Sequence, residues 1–472
     1  MTGSPDPQTD ASAPADGAAA TPPDAGSPAG RRAALRRRFR SAGSGRAAGH
    51  RHLLTGSSVL VIGAAVQGLG GMAFSLIVAQ GDTKAHFGDA SALFTSVLFV
   101  SYLAGLGLPV ALARYAADRS EGSHVVFAWG ALATTVASFV ASAGYLGLVH
   151  PKAAHVLWNW SPVGGFLLFA TIVAGSSLSL IVDVRCMTMR RWNLVLARIA
   201  LVGVAKVALV PIGQDSPHRS LLLFVYLAGP VAASGIVGFL LIGRVTGDRH
   251  RLAPMPPFAR AATRYSAVNY LSTLAYQAPY FALPVIVLVH VDNATNSSFY
   301  VAWGIVAIAF YVPSAIGQAL LAEGGKDGAH LRAQLRIALT LAIGLMAVGT
   351  LAAFLGKGVV VAAYGEDYRD SAHILPAMML AGIPWAMTSL FLTEARVAHR
   401  HVATVLITLT LTLAIVVPAL VLVPDDGLDG ASRAWLAGNV IAAAVAVVVT
   451  WWSRRTQPSG AAELDPLLAA GA

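Results

Sequence analysis

Apolar residues run along this chain in twelve stretches, each closed by a short polar break. They fall at about 58–79, 89–113, 124–148, 162–184, 192–213 and 220–243, then 267–290, 298–322, 333–355, 371–395, 401–423 and 430–452. A helix rises 1.5 Å per residue, so roughly 20 such residues cross the hydrocarbon core of a bilayer. The pattern predicts an all-α polytopic membrane protein of about twelve transmembrane helices. One stretch breaks it: Trp192–Gly213 carries Arg198 and Lys206 inside an otherwise apolar run. A charge at mid-bilayer costs at least about 2.5–3.5 kcal/mol on insertion scales, so these two cations need a partner, a watery cavity or a route to the interface.

The polar breaks orient the chain. Most of the 33 Lys and Arg residues fall on the side of the N-terminus, while the opposite loops hold Lys84, Lys152, Arg219, Lys357, Arg369 and Arg433. The positive-inside rule then places both termini in the cytoplasm, which requires an even number of spans. Residues 1–52 are rich in Ala, Pro, Gly, Ser and Asp before a basic cluster, Arg31 to Arg51. Nothing there can bury a core, and the segment is expected to be a disordered cytoplasmic tail. Its arginines suit anionic lipid headgroups. No apolar stretch precedes Leu53, so a signal peptide is not expected.

Composition supports this picture and narrows the chemistry. The chain has 472 residues, 56% hydrophobic and 12% charged, with mean hydropathy +0.64; soluble proteins carry about 25% charged residues. A net charge of +10 would suggest nucleic acid in a soluble protein, but its distribution along cytoplasmic loops makes nucleic acid an unexpected partner. Cys186 stands alone, and the thirteen histidines lack metal-ligand spacing. Neither a metal nor another cofactor is expected.

The chain also repeats. Leu108-Pro-Val-Ala-Leu-Ala-Arg-Tyr at the end of span two resembles Val312-Pro-Ser-Ala-Ile-Gly-Gln-Ala in span eight, with Pro109 matching Pro313 and Ala111 matching Ala315. Span four ends Asp183-Val-Arg185 and span ten ends Glu394-Ala-Arg396. Two six-helix halves of the same topology follow, 53–244 and 265–453, joined by a linker at 245–264 and ending in a short tail at 454–472. A substrate path is expected between such repeats.

Two motifs add a family resemblance. Tyr364-Gly-Glu-Asp-Tyr-Arg-Asp-Ser-Ala-His-Ile-Leu-Pro-Ala-Met-Met-Leu-Ala-Gly-Ile-Pro resembles the Tyr-Gly…Tyr…Ala…Leu…Leu pattern leading into span ten of bacterial polysaccharide and oligosaccharide-lipid flippases. Gly105-Leu-Gly-Leu-Pro-Val-Ala-Leu-Ala-Arg-Tyr is similar to the Gly…Arg-Tyr signature of their second span. Those transporters belong to the superfamily of multidrug and toxin extruders (MATE-like). The resemblance covers about 58–452. It implies a V-shaped pair of bundles opening alternately to each side of a bacterial cytoplasmic membrane, and a saccharide cargo on a polyprenyl (di)phosphate carrier. A glycan polymerase or glycosyltransferases are the partners it suggests. Many members carry fourteen spans; here the apolar pattern stops near Trp452.

Candidate site residues follow from intramembrane polarity. Arg198 and Lys206 are eight apart, about 80° around a helix, and share a broad face. They suit a diphosphate, since guanidinium and ammonium groups bind phosphate oxygens; alternatively, both snorkel to the interfaces. Asn269, Thr273, Tyr276 and Tyr280 recur at spacings of four, three and four, with Gln277 beside them. This stripe suits sugar hydroxyls or serves as an interhelical contact. Arg114, Asp183, Arg185, Glu394 and Arg396 sit at cytoplasmic helix ends, placed to gate the inward mouth or simply to set topology. Gly63, Gln67, Gly70 and Gly71 favour close helix packing. No carboxylate lies deep in any span, which disfavours a cation-coupled multidrug exporter. Ala117-Asp-Arg-Ser-Glu-Gly lacks the major-facilitator loop, and 356–370 lacks a catalytic set. A transporter is therefore expected rather than an enzyme, with a membrane scaffold as the remaining alternative.

Overall fold

The computed structural model describes residues 62–63, 65–105, 123–149, 152–189, 191–246, 259–323, 328–398 and 400–456. Side chains at 123, 245–246, 259–273, 318–319, 321–323 and 328–332 are outside that description, as are the predicted N-terminal tail, the C-terminal tail from 457 onward and most of the 245–264 linker. Among the described residues every regular element is helical.

The first half runs through α1 (Ala65–Gly81), α2 (Lys84–Ala104), α3 (Ser123–Leu148), the short α4 (His155–Trp160), α5 (Pro162–Thr188), α6 (Trp192–Leu209) and α7 (Arg219–Thr246). The second continues with α8 (Ala259–His290), α9 (Asn293–Glu323), α10 (Gly328–Leu355), α11 (Lys357–Tyr364), α12 (Arg369–Leu380), α13 (Gly382–Val397) and α14 (His401–Thr456). Among the described residues nine helical stretches are long and apolar enough to cross a membrane, with shorter apolar ones at Ala65–Gly81 and Leu274–His290. The expected tenth span is α12 and α13 together, broken at Ala381. The expected loop at 356–370 holds α11.

Local sequence explains where helices begin and turn. Thr83 accepts a hydrogen bond from the His86 amide and caps α2. Ser161 does the same for Gly164 at the start of α5, with Pro162 in the first turn, where its missing N–H costs nothing. The 56-residue α14 is two helices that meet at Gly427, whose φ of 56° favours a residue without Cβ. Its arms run antiparallel and very close. A Cβ on Gly430 would stand 2.1 Å from the Leu422 carbonyl, and one on Gly438 2.5 Å from that of Ala414. Hydroxyls within spans, such as Ser96, Ser138, Thr350 and Thr408, donate to carbonyls one turn back. That satisfies them where no water can.

Two cores result. One lies wholly in the second half and includes Phe310, Met346, Trp385 and Trp435. The other gathers Phe74, Phe87, Phe169 and Phe224 of the first half, and extends to Val285, Leu288, Val301, Tyr364 and Tyr368 of the second. The halves thus meet along α2, α8 and α9. Their seam is tied at the end bearing the α1–α2, α8–α9 and α11–α12 connections. Gln80 Nε2 donates to Ala363 O at 2.8 Å, Lys152 Nζ to Val291 O at 2.9 Å, and Ser75 Oγ shares a 3.0 Å hydrogen bond with Tyr364 Oη.

Candidate functional site

The two halves hold related charge clusters at corresponding helix ends. On α5, Asp183 accepts a hydrogen bond at 2.8 Å from Arg198 Nε of α6 and a second from Arg198 Nη2, a bidentate pair. Arg198 Nη1 donates to Ser234 Oγ of α7 at 3.0 Å. The loop between α5 and α6 brings these groups level, because Asp183 stands five residues before the end of α5 and Arg198 six residues after the start of α6. At the matching position of α13, Glu394 accepts from Arg454 Nε at 2.9 Å and Nη2 at 2.7 Å, with Arg400 3.9 Å away. Arg400 reaches Ser453 Oγ at 3.3 Å. Each carboxylate ties helices within its own half, and among the described residues neither has a partner across the seam. Arg185 is buried with its guanidinium 5.9 Å from the Phe127 ring centre. Arg114 lies outside the described residues.

Lys206 is placed differently. Helix α6 is peripheral, and only Val195, Val202 and Lys206 on it are buried. Lys206 is 6% exposed, so its side chain is enclosed by the protein. The ammonium lies 5.0 Å from the Phe94 ring centre on α2, a cation–π contact. Among the described residues it has no carboxylate partner. Of the two intramembrane cations, Arg198 is neutralised locally and Lys206 is not.

The aromatic stripe of α8 packs into the second core. Tyr276 stacks on Trp385 at 5.8 Å with Arg396 5.3 Å above its ring, and Tyr280 meets Trp303 at 5.0 Å. Trp303, Trp385, Trp435 and Phe310 form one ring cluster, in which the indole N–H groups of Trp385 and Trp435 are buried without a partner among the described residues. Gln277 is half-buried beside them. The side chains of Asn269 and Thr273 are outside the description. The observed contacts of Tyr276 and Tyr280 are interhelical.

Sequence reasoning missed two acids at the opposite end. Asp82 holds Arg219, almost fully buried, through two hydrogen bonds of 2.9 and 2.8 Å, and Arg219 also donates to Ile212 O and Val210 O. Asp89 accepts from Ser220 at 2.9 Å and across the seam from Asn293 at 2.7 Å, with His155 3.8 Å away. A Cβ on the adjacent Gly88 would stand 1.9 Å from the Asn293 carbonyl, so the backbones touch there. The signal available was position: both acids fall within two turns of the same predicted loop. Among the described residues no group of His, Cys, Asp and Glu is placed to hold a metal ion.

No protein-family model matches the chain, and no curated protein matches it. Solved structures do. A MATE transporter in complex with MaL6 is 16% identical, with TM-score 0.57 over 86% of this chain and 95% of that one. A multidrug resistance MATE family transporter of the MOP superfamily in its outward-facing conformation gives 16% identity and TM-score 0.53 over the same shares. A MOP superfamily transporter from Pyrococcus furiosus, described as having a binding pocket of reverse polarity that suggests a different function, gives 17% and 0.54, again over 86% and 95%. The chain has the MATE transporter fold.

Proposed function

We propose that this chain is a membrane transporter that flips or exports a polyprenyl-(di)phosphate-linked oligosaccharide or polysaccharide across a bacterial cytoplasmic membrane by alternating access. The observation that carries the reading is Lys206, a buried intramembrane cation without a carboxylate partner among the described residues. An anionic headgroup supplies what it lacks, whereas a cationic drug would be repelled. Arg198 then orders the cytoplasmic half of α6, and Lys206 binds phosphate. Asn269, Thr273, Gln277 and the exposed edges of Tyr276 and Tyr280 remain the sugar-facing candidates. Arg114, Arg185 and Arg396 are candidates for the inward mouth, where Asp183 and Glu394 act by bracing their own bundles.

We count twelve crossings, with α14 as two and α12–α13 as one, and both termini in the cytoplasm. The tied end of the seam is then extracytoplasmic, and this conformation is closed to the outside. The domain boundaries given above, the anionic lipids at the basic tail and the biosynthetic partners belong to the same proposal. The competing reading, a multidrug exporter, rests on the same fold and on the multidrug resistance role of a structural neighbour; a pocket described as reverse in polarity in the Pyrococcus furiosus protein is an analogy for change of cargo on this fold.

Deletion of the gene in its host, followed by extraction of polyprenyl-linked saccharides, tests the proposal. A finished lipid-linked glycan should accumulate, cured by wild type but not by Lys206→Ala. No change in any lipid-linked intermediate would overturn it.

A further inference from the structure

We propose that the C-terminal end of α14 binds an anionic phospholipid of the surrounding bilayer, its phosphodiester held by Arg454 and Arg455 beside Trp451. The inference depends on the chain spanning a membrane and not on what it carries.

The site is built from charge left over by the brace of the second half. Three arginines, Arg400, Arg454 and Arg455, stand at the two ends of α14, with Glu394 as the carboxylate that meets them. Glu394 takes two donors of Arg454, Nε and Nη2, and leaves Nη1 without a partner among the described residues. That side chain is 37% exposed, so its free edge faces outward. Arg455 is exposed, and among the described residues it makes no hydrogen bond or ion pair. Its guanidinium lies 3.7 Å from the Trp451 ring centre, a contact that holds the group in place and uses none of its N–H donors. The matching brace of the first half keeps no such edge. There Arg198 is 17% exposed and engages Nε, Nη1 and Nη2 on Asp183 and Ser234.

Helical geometry sets a lipid surface beside these charges. At about 100° per residue, Arg454, Trp451, Arg455 and Trp452 follow one another around about 160° of the helix, with Trp451 between the two arginines. Ala444, Val447 and Val448 continue the same face toward the middle of the span, and all three are exposed. Trp451 and Trp452 are about half exposed, and indole rings on the outer face of a span belong at the level of lipid headgroups. From mid-span outward the face therefore offers acyl-chain surface, aromatic rings and two guanidiniums.

The chemistry selects one class of occupant. Guanidinium forks match phosphate oxygens, and the aliphatic side chains match acyl chains. A zwitterionic lipid brings its own cation, which the arginines repel, and a free phosphate gains nothing from the valines. A phosphodiester on the open edge of Arg454 leaves the Glu394 pair intact. The lipid thereby strengthens the hold of α14 on α13.

The test uses the full-length protein in phosphatidylcholine nanodiscs with a tracer of phosphatidylglycerol that carries a photoreactive headgroup, the labelled peptides being mapped by mass spectrometry. The label should fall on 447–456, and unlabelled phosphatidylglycerol should displace it. Arg455→Gln, at an exposed position, should lower labelling about fivefold, the loss expected for one arginine at an anionic surface. Trp451→Leu should lower it too, and Arg455→Lys should retain most of it. Arg433→Gln removes an exposed arginine from the other end of the same arm and should change nothing. Unlabelled phosphatidylglycerol should also slow hydrogen exchange at 394–404 in wild type and not in Arg455→Gln. Equal labelling by a phosphatidylcholine tracer, labelling unchanged in Arg455→Gln and Trp451→Leu, or an equal loss in Arg433→Gln overturns the site. Displacement by polyprenyl phosphate at lower concentration than by phosphatidylglycerol gives the site to a cargo lipid and overturns the proposal as well. Exchange at 394–404 that ignores phosphatidylglycerol overturns its role in the brace. None of these outcomes bears on Lys206.

Discussion

The two halves meet the same requirement with different residues. Each ends its fourth span in a carboxylate that ties the neighbouring helices of its own bundle, Asp183 in the first and Glu394 in the second. The first half answers with Arg198, six residues inside α6; the second answers with Arg400 and Arg454, at the two ends of α14. Beyond those clusters the contrast widens. The second half fills its interior with Trp303, Trp385, Trp435 and Phe310, whereas the first keeps a buried lysine facing Phe94. The repeat is thus conserved in its bracing and divergent in its interior. The buried lysine lies in the first half, and the tryptophan cluster in the second.

Of the two bracing carboxylates, the larger effect should come from the one whose arginine is the more enclosed. Asp183→Ala leaves Arg198 charged and enclosed, and should destabilise the protein by about 3–5 kcal/mol. Thermal unfolding in detergent checks this, and the Asp183→Leu, Arg198→Leu double variant should recover most of the loss. Equal stability of the single and double variants would mean that the pair does not organise the bundle. In the second half, Glu394→Gln should cost less, about 1–3 kcal/mol, because Arg454 is partly exposed and can turn to water. A reversal of that order would break the comparison, since it rests on how deeply each arginine is placed.

Where the halves meet, the expected effect is smaller. Asn293→Ala removes one hydrogen bond to Asp89 and should lower stability by about 1 kcal/mol. Ser220 continues to donate to the same carboxylate. Hydrogen exchange at 291–296 should rise, because this bond pins the start of α9 to α2. Unchanged exchange there would show that the backbone contact at Gly88 and the Lys152 hydrogen bond to Val291 O hold this part of the seam.

These ranks also mark what the chain discloses before it is folded. Spans are legible because burial in lipid demands long apolar runs and helical satisfaction of every backbone group. The acid-x-Arg repeat was legible for the same reason, as charge at a span end is conspicuous. The partner of Arg198 was open to inference too: Asp183 stands five residues before the end of one helix and Arg198 six after the start of the next. Asp82 and Arg219 were not, since 137 residues separate them and no periodicity connects two different hairpins. Tyr276 and Tyr280 show the limit most plainly. Their four-residue spacing gives a common face, yet nothing in that spacing tells whether the face meets sugar or, as observed, Trp385 and Trp303.

The smallest effect on stability should belong to the residue with the largest proposed role. Lys206→Met keeps the length of the side chain and removes its charge. The cation–π contact with Phe94 contributes at most about 2 kcal/mol, which does not exceed the cost of holding an unpaired ammonium out of water. The variant should therefore melt at the same temperature as wild type or higher, a change within about 1 kcal/mol, while transport is lost. Lys206→Arg keeps the charge and should retain part of the activity. A structural lysine would behave in the opposite way, losing stability as Asp183→Ala does. A melting temperature that falls in parallel with transport would place Lys206 among the braces and remove the asymmetry between the halves; a stable, inactive variant would locate the cargo's charge in the first half.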